Sequence, residues 1–114
     1  MKERSAMLFI ILLVISCANK HIRDYKKITI IDFSKKRIDT LRPHEDKTYH
    51  AYFVKVNGET NDSIKIEREG HYNIILSGKI DTILNGDFYG AEDVIWVFNP
   101  YKATNGKLEI EYGL

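Results

Sequence analysis

Several things are scarce in this 114-residue sequence. Cysteine occurs once, at Cys17. A lone thiol excludes a disulfide framework and the zinc motifs built on paired cysteines. Long apolar runs are missing. The longest, from Met7 to Ile15, is nine residues, far too short as a helix to cross a bilayer core of about 30 Å. Alanine is scarce, and leucine is sparse after residue 17, which argues against long helices. Charge of one sign is not in excess. Residues 1–16 hold Lys2, Glu3 and Arg4, so the remaining 98 residues carry 15 basic and 15 acidic side chains. A neutral domain exerts no long-range pull on nucleic acid. Low-complexity tracts, internal repeats and a Gly-x-Ser-x-Gly nucleophile elbow are also missing.

What is present starts with an address. A short charged lead, the apolar run and the small Ser16 match a secretory signal peptide over residues 1–16. The alternative is a buried N-terminal helix. That run is apolar on every side and would need a large core around it. Val14-Ile15-Ser16-Cys17 resembles the lipobox of bacterial lipoproteins: an aliphatic residue, a tolerated position, a small residue, then cysteine. The resemblance covers residues 1–17. It implies cleavage before Cys17, a thioether diacylglycerol on its sulfur, and palmitate-type acylation of the new N-terminus. One acyl chain binds a membrane only marginally, whereas two or more anchor it stably. The next four residues, Ala18-Asn19-Lys20-His21, carry no acid. They depart from the acidic surface-export tags of some Gram-negative lipoproteins. That implies an outer-membrane position facing the periplasm, with the cell surface as the alternative.

Residues 17–26 then read as the lipidated cysteine and a polar tether, and residues 27–114 as one domain. The domain is rich in Tyr, Ile and Val, the composition of strands. Alternating apolar and polar residues predict strands at 27–33, 38–41, 48–56, 63–67, 72–76, 79–84, 94–98 and 107–112. Asn57-Gly58 and Asn85-Gly86-Asp87 read as turns. A hairpin or bulged connection then joins 48–56 to 63–67. Val94-Ile95-Trp96-Val97-Phe98 is apolar on both faces and reads as a central strand covered twice. Seven or eight short strands at this spacing predict an all-β fold, a small antiparallel β-sandwich of Ig-like or jelly-roll-like type, preceded by a signal-peptide helix. A small barrel is the alternative.

Chemistry-bearing residues are few. Asp87, Glu92 and Asp93 fall within seven residues. Acidic loops at a sandwich rim can hold Ca²⁺, but no EF-hand spacing is present and a solvated turn explains the same residues. His21, His44, His50 and His71 lack zinc spacing, although His50 and His71 would meet if their strands paired. No metal or cofactor is expected, and no catalytic residue. Tyr89 and Tyr101 flank the Trp96 strand in loops. An exposed tyrosine offers an apolar face and a polar tip to a sugar or a protein, while Trp96 itself reads as core. The run from Asp81 through Phe88-Tyr89-Gly90 and Asn99-Pro100-Tyr101 is similar to small envelope lipoproteins of Bacteroidota-type bacteria with no assigned activity. The sequence therefore predicts a lipid-anchored, non-enzymatic envelope protein that binds a protein or glycan. The alternative is an immunity or inhibitor protein against a toxin or envelope enzyme.

Overall fold

The computed structural model describes residues 24–114. The leader, Cys17 and the tether up to Arg23 lie outside the described residues. Eight strands form: β1 (Tyr25–Ile30), β2 (Arg37–Leu41), β3 (Ala51–Thr60), β4 (Ile64–Arg68), β5 (Tyr72–Leu76), β6 (Lys79–Asp87), β7 (Val94–Asn99) and β8 (Gly106–Gly113). They make two four-stranded antiparallel sheets, β1-β8-β3-β6 and β2-β7-β4-β5, packed as a sandwich. Among the described residues, no helix is long and apolar enough to cross a membrane.

The pairing follows one rule. β1 meets β8, β2 meets β7, β3 meets β6, and β4 meets β5. The chain behaves as one long hairpin, closed at the β4–β5 turn and rolled up, which is the jelly-roll arrangement. Among the described residues, only β4 and β5 are hydrogen-bonded neighbours in both sequence and sheet.

Alternation sends one face of each strand inward. Tyr52, Val54 and Val56 of β3, Ile64 and Ile66 of β4, and Leu108, Ile110 and Tyr112 of β8 are buried, as are Val94, Trp96 and Phe98 of β7. Trp96 stacks on Tyr112 with ring centroids 5.2 Å apart and leans on Tyr52 at 5.5 Å. The middle of the sandwich is thus filled by aromatic rings. Burial, then the nearby Asp39 charge, push the Tyr112 hydroxyl above its ordinary 10, so it stays protonated.

Five sequence expectations are corrected. Asn57-Gly58 lies inside β3 and is no turn. Asn85-Gly86-Asp87 lies inside β6. In both, glycine is needed for close approach. A Cβ on Gly58 would overlap the Lys107 carbonyl oxygen across the ladder, and one on Gly86 would overlap the Tyr52 ring. β3 and β4 lie in opposite sheets, so no hairpin joins them. The outer face of β7 is uncovered, leaving Ile95 and Val97 only half-buried. The first strand begins at Tyr25, so Tyr25 and Lys26 belong to the sheet and not to the tether.

Lys26 has a structural task. It points inward on edge strand β1, and Asp39 points inward on edge strand β2. Their side chains meet at 2.6 Å across the gap between the sheets. Arg37 holds the other carboxylate oxygen at 3.0 Å. The Asp39 side chain is 1% exposed and that of Lys26 27%, so this clasp closes one flank of the sandwich.

Candidate functional site

The strands place four segments at one end of the sandwich: the chain's entry at Asp24, the β2–β3 loop (42–50), the β4–β5 turn (69–71) and the β6–β7 loop (88–93). The opposite end carries the β1–β2, β3–β4, β5–β6 and β7–β8 connections. Tyr89 and Tyr101 therefore sit beyond opposite ends of β7. Trp96 is fully buried and offers no face to a partner.

The first end contains a polar cleft of about 290 Å³, near the lower limit of roughly 300 Å³ for small-molecule sites. It brings together Asp87, Glu92, Asp93 and Tyr89, four residues singled out in the sequence. The cleft also contains Arg68, which the sequence did not mark. β4 sends Ile64, Ile66 and then Arg68 toward the interior. Arg68 lies opposite Trp96 of β7. Its guanidinium carbon sits 4.7 Å from the Tyr52 ring centre and 5.7 Å from that of Phe88. A cation–π contact of this kind contributes about 0.5–2 kcal/mol. Among the described residues Arg68 makes no ion pair, so its side-chain N–H donors remain available.

Short backbone bonds hold the walls. Glu69 N donates to Ile95 O at 3.0 Å, His71 N to Arg68 O at 3.0 Å, and Phe88 N to His50 O at 3.1 Å. Tyr89 is 74% exposed, with the His50 ring edge-on at 6.1 Å. Asp93 turns toward Arg42 at 3.6 Å. Among the described residues, no three His, Cys, Asp or Glu side chains converge to hold a metal ion. His50 precedes β3 and His71 lies in the β4–β5 turn, so no strand pairing joins them. Beside the cleft, Asp24 accepts from Lys47 at 3.2 Å and from the Tyr49 hydroxyl at 3.0 Å. Partial burial pushes its carboxyl up, but these hydrogen bonds outweigh that and hold it below the ordinary 3.8.

Tyr101 is placed differently. Its amide donates to Asn99 Oδ1 at 2.9 Å, and its φ is 54°. The Lys65 ammonium stands 4.1 Å from its ring centre and that of Lys102 5.4 Å. The loop is pinned. Asn61 Oδ1 accepts from Thr104 N and Asn105 N at 2.9 and 3.1 Å, and Asn61 Nδ2 donates to Thr104 Oγ1 at 2.8 Å.

Chemically, the cleft combines carboxylate acceptors, a fixed guanidinium donor and one free aromatic face. No family model matches the chain, and no curated protein matches it. Among solved structures it is similar to a de novo designed double-stranded β-helix determined in solution by NMR. The TM-score is 0.47 and the identity 10%, covering 77% of this chain and 96% of that one.

Proposed function

We propose that the chain is a lipoprotein of the bacterial cell envelope, held on the periplasmic face of the outer membrane through Cys17, that acts as a non-enzymatic binding module for a glycan. The observation that carries the ligand class is the Arg68 guanidinium, within cation–π distance of two aromatic rings and, among the described residues, free of ion pairs. It faces a cleft also lined by Asp87 and Glu92. Sugar hydroxyls both donate and accept. A site with carboxylates and one oriented guanidinium serves both roles, and the exposed Tyr89 ring supplies a surface for the C–H face of a sugar. The small volume suits one sugar ring, not a long chain.

The test is a glycan array probed with the full chain in detergent. A discrete set of glycans is expected to bind. Arg68→Lys, which keeps the charge but loses the planar fork, and Tyr89→Ala are each expected to weaken binding about tenfold, while Tyr101→Ala leaves it unchanged. Binding by Arg68→Lys equal to that of the parent removes the cleft from consideration.

The anchor is tested separately. Cys17→Ser is expected to release the chain from membranes or to block its processing. A variant that fractionates with membranes as the parent does would end the lipoprotein reading.

The second reading, an immunity or inhibitor protein, draws support from the pinned loop that presents Tyr101 between two lysines. Rigid loops lose little entropy on docking.

A further inference from the structure

The two sheets end in four edge strands, β1 and β6 on one, β2 and β5 on the other. An open edge invites pairing with another chain, and folds blunt it with short strands, proline, bulges or inward charges. Three of these edges are blunted. β2 and β5 are five residues each. β1 turns Lys26 inward and β2 turns Asp39 inward, the two halves of the clasp. β6 has none of these devices. It runs nine residues without proline. It pairs with β3 without a bulge, from Asp87 opposite Ala51 to Lys79 opposite Glu59. Its inward positions, Ile80, Thr82, Leu84 and Gly86, carry no charge, and all but Ile80 are only half-buried.

The ladder decides which backbone groups face away from β3. Thr60 N donates to Gly78 O at 3.0 Å, and Phe88 N to His50 O at 3.1 Å. Both bonds continue the β3–β6 register. The even-numbered residues of β6 therefore exchange their backbone bonds with β3. The odd-numbered ones, Lys79, Asp81, Ile83, Asn85 and Asp87, turn N–H and C=O to the open edge. Among the described residues no strand pairs with that edge. The same five side chains stand exposed on the outer face, Ile83 at the middle being 59% exposed.

Set antiparallel to a copy of itself about Ile83, this strand is its own complement. Lys79 meets Asp87 of the second copy, and Asp87 meets Lys79 of the second copy. Asp81 meets Asn85, and the two Ile83 side chains meet on the axis. On the inward face Thr82 meets Leu84, and Ile80 meets Gly86. This register uses all nine residues and keeps inward with inward and outward with outward. Each odd-numbered pair exchanges two backbone bonds, about ten in all. Centring the pairing on Asp81 would instead set two carboxylates directly opposite each other, which is unfavourable.

We propose that the chain forms a two-fold dimer through the open edge of β6, joining two four-stranded sheets into one continuous sheet. The self-complementary order of charges favours a second copy over a foreign strand. Asp87 also lines the cleft, but Arg68 and Tyr89 take no part in the pairing, so the dimer stands or falls apart from the sugar reading.

The test is sedimentation equilibrium of the full chain in density-matched detergent, with micelles in large excess over protein. The parent is expected to be a dimer. Ile83→Lys puts two like charges on the axis, at a side chain already in water. Lys79→Asp and Asp87→Lys each put like charges at both ends of the seam. Each variant is expected to weaken the dimer about tenfold or more, with the circular dichroism of the parent. Mixing Lys79→Asp with Asp87→Lys sets opposite charges at both ends again and is expected to restore the dimer, which a merely misfolded variant would not do. Three outcomes overturn the proposal: a monomeric parent, a dimer as tight with Ile83→Lys as without it, or a mixture no more associated than its two components alone.

Discussion

Gly58→Ala is expected to lower stability by about 3 kcal/mol, read as a fall in the urea midpoint at unchanged slope. Two costs combine. Gly58 has φ 143°, a region where L side chains are strained. An added Cβ would also overlap the Lys107 carbonyl and crowd the Leu108 Cα at 2.9 Å. The neighbour is backbone, so no rotamer change relieves it. β3 and β8 must separate at the centre of their sheet. Gly70→Ala provides the control. Gly70 also has positive φ, at 80°, but a Cβ there meets nothing within 4 Å. Strain alone then costs about 1 kcal/mol. Equal losses at the two positions would show that β3 and β8 do not approach as closely as described.

Lys26→Met is expected to cost about 3 kcal/mol at neutral pH. The magnitude turns on which partner is left behind. Removing Asp39 would free two cations that can swing into water, since the side chains of Lys26 and Arg37 are 27% and 46% exposed. Removing Lys26 strands a carboxylate whose side chain is 1% exposed, with only Arg37 left to answer it. The lower end of the range for broken buried pairs therefore applies. Adding Asp39→Leu to Lys26→Met replaces the pair by apolar groups and is expected to recover most of the loss. If the double variant is no more stable than the single one, the clasp is not what holds the β1 and β2 edges together.

Much of the fold was legible from period-two alternation. Leu108, Ile110 and Tyr112 face inward as the pattern requires, and so do Ile64 and Ile66. Pairing was not legible. Alternation is a local signal, and three of the four nested strand pairs join segments distant in sequence. The turn dipeptides misled for a related reason. Asn-Gly is a turn signal because glycine tolerates unusual φ, but at Gly86 what matters is the missing side chain, and at Gly58 the positive φ and the missing side chain both serve a strand. At the site, Asp87, Glu92, Asp93 and Tyr89 were visible as loop residues, while Arg68 passed unmarked. The signal for it was present: a charge at the third inward position of the alternation Ile64, Ile66, Arg68. Asp39, in register with the buried Leu41, carried the same signal.

The nested pairing has a consequence for biosynthesis. Among the described residues β1 finds its partner in β8, the last strand in chain order. Contacts this distant close slowly. A ribosome still holding β8 withholds the first strand's partner. The β1–β8 edge of the roll therefore closes last, once the strand farthest down the chain is free to fold back on the first.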